Sequence, residues 1–285
     1  MSDASYRDAI FTTPLDRVAR FSFDEQVVAC FPDMVRRSIP GYGQILGMLG
    51  VIAERHLRHG GHVYDLGCSL GAVGLALAGR LPPEAFSLTG VDLSPAMVAR
   101  ARETLAAECP EHAIEIVEGD IRHLDYRPVS MIVLNFTLQF LAPGERDALM
   151  TTLYEALEPG GVLVLSEKIV AADEAENAWL VERYHDFKRA NGYSELEISQ
   201  KRTALENVLV PDTLEAHHAR LARAGFARAT TWFQYLNFAA MIAFKDARYR
   251  DARYRDARYR DARYRDAQYR DAQYRDAQGE TGGPR

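Results

Sequence analysis

The stretch Val63-Tyr64-Asp65-Leu66-Gly67-Cys68-Ser69-Leu70-Gly71 joins an apolar run to a turn of small residues and then to a helical pattern. Gly67 and Gly71 allow close backbone approach, and the turn sets N–H donors and a helix N-terminus at the end of a strand, so a polar group can bind there. A glycine turn alone is weak evidence, because such turns recur in many loops. The next apolar run ends at Val91-Asp92-Leu93-Ser94, 27 residues after Asp65, where an acid can accept hydrogen bonds from ribose hydroxyls. Taken alone, Asp92 reads as a cap of the helix starting near Pro95, although Ser94 fills that role better. Asp120, in Glu118-Gly119-Asp120-Ile121, follows the third run and could accept from an adenine amino group; by itself it reads equally well as a loop-starting acid. Asn135 ends the fourth run.

These residues need elements that bring them to one edge. Short apolar runs at 63–66, 86–91, 114–117, 131–134 and 162–165 read as strands, and helical patterns at 71–80, 95–108 and 145–157 lie between them. Such alternation predicts a doubly wound, parallel sheet. The runs at 131–134 and 162–165 lack period-two alternation, as strands buried on both faces should. Asp92, Asp120 and Asn135 then lie along the carboxyl edge of one sheet, where ligands bind in such folds. Residues 1–55 and a long polar helical stretch at 173–209 fall outside this core and are placed to cover the crevice, and 226–244 carries two strand-like runs that could close the sheet as a hairpin.

Composition narrows the class. Of 285 residues, 47% are hydrophobic and 26% charged, as in a soluble globular protein. The polar N-terminus and the lack of any apolar run near the roughly 18 residues of a membrane span predict a cytoplasmic protein. The three cysteines, Cys30, Cys68 and Cys109, are widely spaced and show neither a metal-ligand pattern nor a disulfide framework.

The chain ends in a low-complexity tail, residues 246–285, built on Asp-Ala-Arg-Tyr-Arg and then Asp-Ala-Gln-Tyr-Arg repeats. A five-residue period advances about 140° per repeat on a helix, so Tyr249, Tyr254 and Tyr259 would spiral and form no apolar stripe. The tail reads either as a basic, tyrosine-studded strand for RNA or a partner, or as an expanded repeat appended to a finished domain, and the second reading is favoured. Its eleven Arg against seven Asp and one Glu give it +3, which leaves −9 for residues 1–245 of a net −6. So acidic a body argues against direct nucleic-acid binding.

The glycine turn, the acid ending the second strand, the acid after the third, and Glu158-Pro159-Gly160-Gly161 before the fifth together resemble class I S-adenosylmethionine-dependent methyltransferases over roughly residues 60–170. Ser69 stands where that family often has Gly. A phosphate-binding alternative lacks Gly-Lys-Ser/Thr, and a nicotinamide alternative lacks the full Gly-x-Gly-x-x-Gly. The resemblance implies a Rossmann-like, mostly parallel seven-stranded sheet with helices on both faces, plus N-terminal and inserted helical cover.

Further strings resemble the carboxy-S-adenosyl-L-methionine synthase family. They are 31–42, Tyr64 to Ala72, Val133-Leu134-Asn135-Phe136-Thr137-Leu138-Gln139-Phe140, and above all His185-Asp186-Phe187-Lys188-Arg189-Ala190-Asn191-Gly192-Tyr193 running on to Gln200-Lys201-Arg202. The resemblance implies conversion of S-adenosyl-L-methionine and prephenate to carboxy-S-adenosyl-L-methionine and phenylpyruvate, without a metal. It implies a homodimer, and a partner enzyme that uses the product to carboxymethylate wobble uridine in tRNA, giving 5-oxyacetyluridine. Ligand contacts carried over by motif fall on Tyr42, Gly67, Cys68, Ser69, Asp92, Leu93, Asp120, Ile121, Asn135 and Arg202. Leu93 departs from a more polar residue at its position, which matters little if the contact is through backbone.

Arg202 is the residue the resemblance marks for chemistry. A sulfonium methyl needs no cation beside it, whereas a new carboxylate near sulfur suits a bidentate guanidinium. Without the flanking string, Arg202 would read as a solvated or salt-bridged residue beside Glu197 or Glu206. Prephenate carries two carboxylates; His185, Lys188 and Arg189 at i, i+3 and i+4, and Arg36 and Arg37 before Tyr42, are candidates to meet them, against the plainer reading of a solvated charged face. The prephenate hydroxyl that leaves could take the methyl proton, so no protein base is required. Two other readings share the core: an ordinary methyltransferase, and a non-enzymatic binding module.

Overall fold

The apolar runs without alternation become the inner strands of a seven-stranded sheet. In this computed structural model β1 (Gly61–Leu66), β2 (Phe86–Asp92), β3 (Ala113–Glu118), β4 (Val129–Asn135), β5 (Leu157–Lys168), β6 (Arg228–Tyr235) and β7 (Phe238–Phe244) take the order β3-β2-β1-β4-β5-β7-β6. The first five are parallel; β7 inserts antiparallel between β5 and β6. The order reverses between β1 and β4, which opens a crevice at their carboxyl ends. The chain divides into two units, Met1–Asp246 and Ala247–Arg285. The structure describes residues 7–245, and the tail repeats, with both readings of them, lie outside the described residues.

Every residue of β4 except Asn135 is buried, and its side chains serve two cores. Ile132 and Leu134 pack with Leu149, Met150 and Leu153 of α5 (Pro143–Ala156) and Leu221 of α8 (Leu214–Ala224). Met131 and Val133 face the other way, onto Ile45, Leu49 and Ile52 of α2 (Tyr42–His56) and Val73 and Leu77 of α3 (Ala72–Ala78). Helices on both faces explain why the strand carries no polar alternation. A third cluster sets Val98, Ala101 and Leu105 of α4 (Pro95–Glu108) against Ile116 of β3.

Two elements differ from the sequence reading. The helix expected from residue 71 begins at Ala72, because Gly71 is its cap at φ 81°, a left-handed conformation that side chains resist. The stretch from Glu158 to Gly161, expected as a turn, lies inside β5, where the register against β4 shifts and Gly160 takes φ 80°.

The cover is two helix pairs. Asp24 caps α1 (Glu25–Ser38), and Gly41 at φ 76° separates it from α2. The 173–209 stretch breaks at Asn191-Gly192 into α6 (Glu174–Ala190) and α7 (Glu195–Leu205), the latter opened by a Ser194/Glu197 capping box. The pairs are stitched together: Tyr184 Oη donates to Ser38 O at 2.9 Å, Tyr193 Oη to Asp8 at 2.6 Å, and Phe21 N to Ala204 O at 2.9 Å. Among the described residues, no helix is long and apolar enough to cross a membrane.

Candidate active site

The carboxyl ends of β1, β2, β3 and β4 and the inner surface of the cover enclose a cavity of about 320 Å³. Tyr42, Gly67, Cys68, Ser69, Asp92, Leu93, Asp120, Ile121 and Asn135 all lie on its wall. A side chain at Gly67, which sits at φ 80°, would collide with Thr137 Oγ1, itself held by donating to Leu66 O at 2.7 Å. Ser69 stands at φ 48°, a conformation glycine adopts more freely.

Asp92 is a braced acceptor. One oxygen accepts Ser69 N and the other Ser94 N, each at 2.9 Å, which ties the β1 and β2 turns together. Ser94, not Asp92, caps α4, accepting Met97 N at 3.2 Å. Burial raises the Asp92 pKa while the surrounding N–H groups oppose it. Each oxygen keeps a lone pair for a ligand hydroxyl. Asp120 accepts from Arg122 at 2.5 Å, and that guanidinium, aided by the Arg122 backbone N–H, holds its carboxyl at about 2.

Asp65 also lines the cavity, and the sequence reading did not assign it a ligand. It is 1% exposed and, among the described residues, neither carboxylate oxygen has a hydrogen-bond partner, nor has Asn135 Oδ1. Burial, then the charge of Asp92, push Asp65 up to about 8. An orphaned acid beside the glycine turn calls for a cationic group from a ligand. Its signal in sequence was an Asp inside an otherwise apolar strand. Cys68 is buried, and burial with the Asp65 and Asp92 charges drives its pKa far up, so it is a wall residue and no thiolate nucleophile.

The opposite wall is aromatic and basic. Tyr42 to Phe136, Phe136 to Phe238, and Phe238 to Tyr184 form a chain of rings with centroids 6.2, 6.0 and 5.2 Å apart. Phe136 takes φ 63°, a strained conformation for so large a side chain. Lys168 and Lys201 line this side. Beneath it, Glu167 accepts Leu138 N and Gln139 N at 2.9 Å each and so fixes the turn after β4; burial first pushes this acid up to about 8.

Arg202 does not lie on the cavity wall. It is exposed on α7, close enough for its charge to act on Lys168 and His185. Arg36 pairs with Asp33 at 2.9 Å and Arg37 with the same acid at 2.8 Å. Arg189 is exposed and bound to Asp186 and Glu195. His185 is half-buried, Lys188 is buried under the rings of Tyr184 and Tyr193, and neither lines the cavity.

Residues 63–161 match a family described as a methyltransferase domain. Over 247 residues the chain is 83% identical to the carboxy-S-adenosyl-L-methionine synthase of Chromohalobacter salexigens, covering 87% of this chain and 92% of that one. The chain belongs to the carboxy-S-adenosyl-L-methionine synthase family. The member from Psychrobacter arcticus is 55% identical over 247 residues, covering 84% and 94% of the two chains. An O-methyltransferase family protein from Burkholderia thailandensis shares the fold, with a TM-score of 0.58 at 19% identity, covering 79% of this chain and 61% of its own.

The residues of this synthase-family cavity fit S-adenosyl-L-methionine on the chemistry of their donors and acceptors. Asp92 suits ribose hydroxyls, Asp65 offers the orphaned carboxylate for the ligand's ammonium, and the glycine turn leaves room for its backbone-like end. Among the described residues, no group of three His, Cys, Asp or Glu side chains could hold a metal.

Proposed function

We propose that this chain converts S-adenosyl-L-methionine and prephenate to carboxy-S-adenosyl-L-methionine, phenylpyruvate and water. The reading is supported most by one cavity that sets the Asp65–Asp92–Asp120 edge against a wall carrying Lys168 and Lys201. Methyl transfer to a neutral acceptor asks for no cation opposite the nucleoside; a carboxylate-bearing second substrate does. S-adenosyl-L-methionine supplies a methyl group made acidic by the adjacent sulfonium. Prephenate loses its ring carboxylate and hydroxyl and becomes aromatic, the carboxyl carbon joins the methyl carbon, and the displaced methyl proton leaves with the hydroxyl as water.

The protein's part is to hold both reactants in a dry pocket. Tyr42, Gly67, Cys68, Ser69, Asp92, Leu93, Asp120, Ile121 and Asn135 hold the nucleoside substrate in this reading. Family likeness assigns the transferred carboxylate to Arg202, which in this structure lies outside the cavity wall on the exposed side of α7. The neighbouring Lys201 faces the cavity, so α7 presents adjacent cations to its wall and to its outer side. Assembly as a homodimer, work in the cytoplasm and consumption of the product by a tRNA carboxymethyltransferase rest on family likeness.

The test is mass spectrometry of the small molecule that co-purifies with the protein and of the product from the two substrates. A product heavier than S-adenosyl-L-methionine by the mass of carbon dioxide is expected, with its loss from Arg202→Leu. Plain S-adenosyl-L-methionine or S-adenosylhomocysteine from both proteins, with no conversion of prephenate, would put an ordinary methyltransferase ahead.

A further inference from the structure

One cation on the cavity wall has no counter-ion. Lys168 ends β5, its Nζ lies 5.0 Å from the centroid of the Tyr184 ring, and among the described residues no carboxylate pairs with it. Lys201, the other lysine on the wall, is already paired with Asp8 at 3.3 Å. The charged or titratable groups acting around Lys168 are Arg202 from α7 and His185 and Lys188 from α6, all of its own sign when protonated. Burial, then the Arg202 charge, push Lys168 down to about 8. In a site poor in water, the anion that would relieve this is held strongly.

The surroundings of Lys168 select the shape of that anion. The ring chain from Tyr42 through Phe136 and Phe238 ends at Tyr184, the ring under Lys168. A flat cyclic body packs against such a wall, and a carboxylate on a short arm reaches the ammonium. On the other side Asp65 and Asp92 offer oxygen acceptors and no cation, so the two compartments are not interchangeable.

We infer that Lys168 selects the second substrate by pairing with the carboxylate that this substrate keeps throughout the reaction. The inference rests on the prephenate reading above. A carboxylate that departs as neutral carbon dioxide loses its attraction to a cation on the way to the transition state, so a lysine there would stabilise the ground state and slow the reaction. A cation on the retained carboxylate is equally favourable before and during the reaction. It therefore sets KM and leaves kcat alone.

Phenylpyruvate separates the alternatives, because it keeps the retained carboxylate and lacks the transferred one. We would measure KM for prephenate, competitive inhibition by phenylpyruvate, and S-adenosyl-L-methionine affinity for wild type, Lys168→Met and Lys168→Arg. Lys168→Met should weaken prephenate and phenylpyruvate by a similar factor, about 10- to 100-fold, the range of a hydrogen bond to a charged group. Its kcat and its S-adenosyl-L-methionine affinity should stay within about threefold of wild type, and Lys168→Arg should recover most of the loss.

An unchanged KM in Lys168→Met overturns the inference. So does a raised KM with unchanged phenylpyruvate inhibition, which would put Lys168 on the transferred carboxylate. If Lys168→Met no longer binds S-adenosyl-L-methionine, Lys168→Gln carries the same measurements with a polar end kept in the cavity. If wild type makes no carboxylated product from prephenate, the functional reading falls by itself, and phenylpyruvate binding still decides whether Lys168 holds a carboxylate.

Discussion

The acid edge at the ends of β1 to β3 sets two braced acids beside one free one, with Asp120 held by its near neighbour Arg122, and the basic wall at the end of β5 sets one braced lysine beside one free one. On the acid edge Asp92 is braced by Ser69 N and Ser94 N, while Asp65 has no hydrogen-bond partner among the described residues. On the basic wall Lys201 is braced by Asp8, while Lys168 has only a ring and like charges beside it. The difference lies in what braces them. Backbone N–H groups from two adjacent turns hold Asp92, so that edge is built by local structure. A side chain from the N-terminal cover holds Lys201, so the basic wall depends on tertiary packing. The braced groups bear on whether the site forms, and the free groups on what it binds.

The sharpest way to break the comparison is to remove the brace on the basic side. Asp8 is 2% exposed and accepts from Tyr193 Oη at 2.6 Å and Lys201 Nζ at 3.3 Å. Asp8→Ala leaves a buried lysine unpaired and should cost about 3–5 kcal/mol of stability. Denaturant unfolding checks it. A loss below about 1 kcal/mol, on the scale of an exposed ion pair, would show that the basic wall stands without its tertiary brace.

Asp92→Ala should act on binding more than on folding. It removes the acceptor proposed to meet the ribose and leaves two turn N–H groups without their partner, so affinity for S-adenosylhomocysteine should fall about 100-fold, near the upper range for a charged hydrogen bond. Calorimetric titration gives the number. If instead the variant unfolds as readily as Asp8→Ala, the division between local and tertiary bracing fails.

The local side of this division was legible in the sequence and the tertiary side was not, for a physical reason. Asp92, Cys68 and Ser69 sit within one strand–turn–helix unit and its neighbour, where spacing alone sets position. Ser69 at φ 48° explains why glycine is common there, a preference visible before any coordinates. Lys168 becomes conspicuous only when α6, the next helix after β5, folds back and brings Tyr184 against it. Its one local signal was a Glu167-Lys168 pair shortly after the apolar run 162–165. His185, Lys188 and Arg189 show the opposite failure: helical spacing groups them on one face, yet Lys188 is buried and Arg189 is exposed in ion pairs. The boundary of burial runs between neighbours that periodicity treats alike, because α7 folds back at Asn191-Gly192.

The free acid offers a pH test of moderate size. In the protein without ligand, Asp65 is pushed up to about 8, above the ordinary value near 4 for an unfolded chain. The folded state therefore keeps a proton that the unfolded state has released between these values, and this group's contribution to stability falls as pH rises through that window. Asp65→Asn removes the penalty, so its Tm without ligand should exceed wild type by a few degrees at pH 8, with the gap closing near pH 4. Binding behaves in the opposite sense. A ligand ammonium needs the carboxylate, so wild-type affinity for S-adenosylhomocysteine, relative to Asp65→Asn, should grow with pH towards 8 and then level at about 10- to 100-fold. Taking the ratio of the two proteins cancels the ligand's own titration. A ratio that does not change with pH would show that Asp65 stays ionised or does not meet the ligand.

The smallest expected effect is at Leu93, beside the braced acid. Its side chain is 65% exposed although the residue lies on the cavity wall, so what the cavity receives from this position is largely backbone. That backbone is fixed from both sides: Asp92 O accepts Gly119 N at 3.0 Å, and Ser94 N donates to Asp92 at 2.9 Å. A side chain pointing mostly into water can change without moving either bond. Leu93→Asn should therefore alter affinity for S-adenosylhomocysteine by less than about threefold, the scale of surface substitutions. A gain of tenfold or more would mean that the new amide reaches the ligand. The acid edge would then owe part of its affinity to side chains that local backbone bracing does not set, and its contrast with the basic wall would narrow.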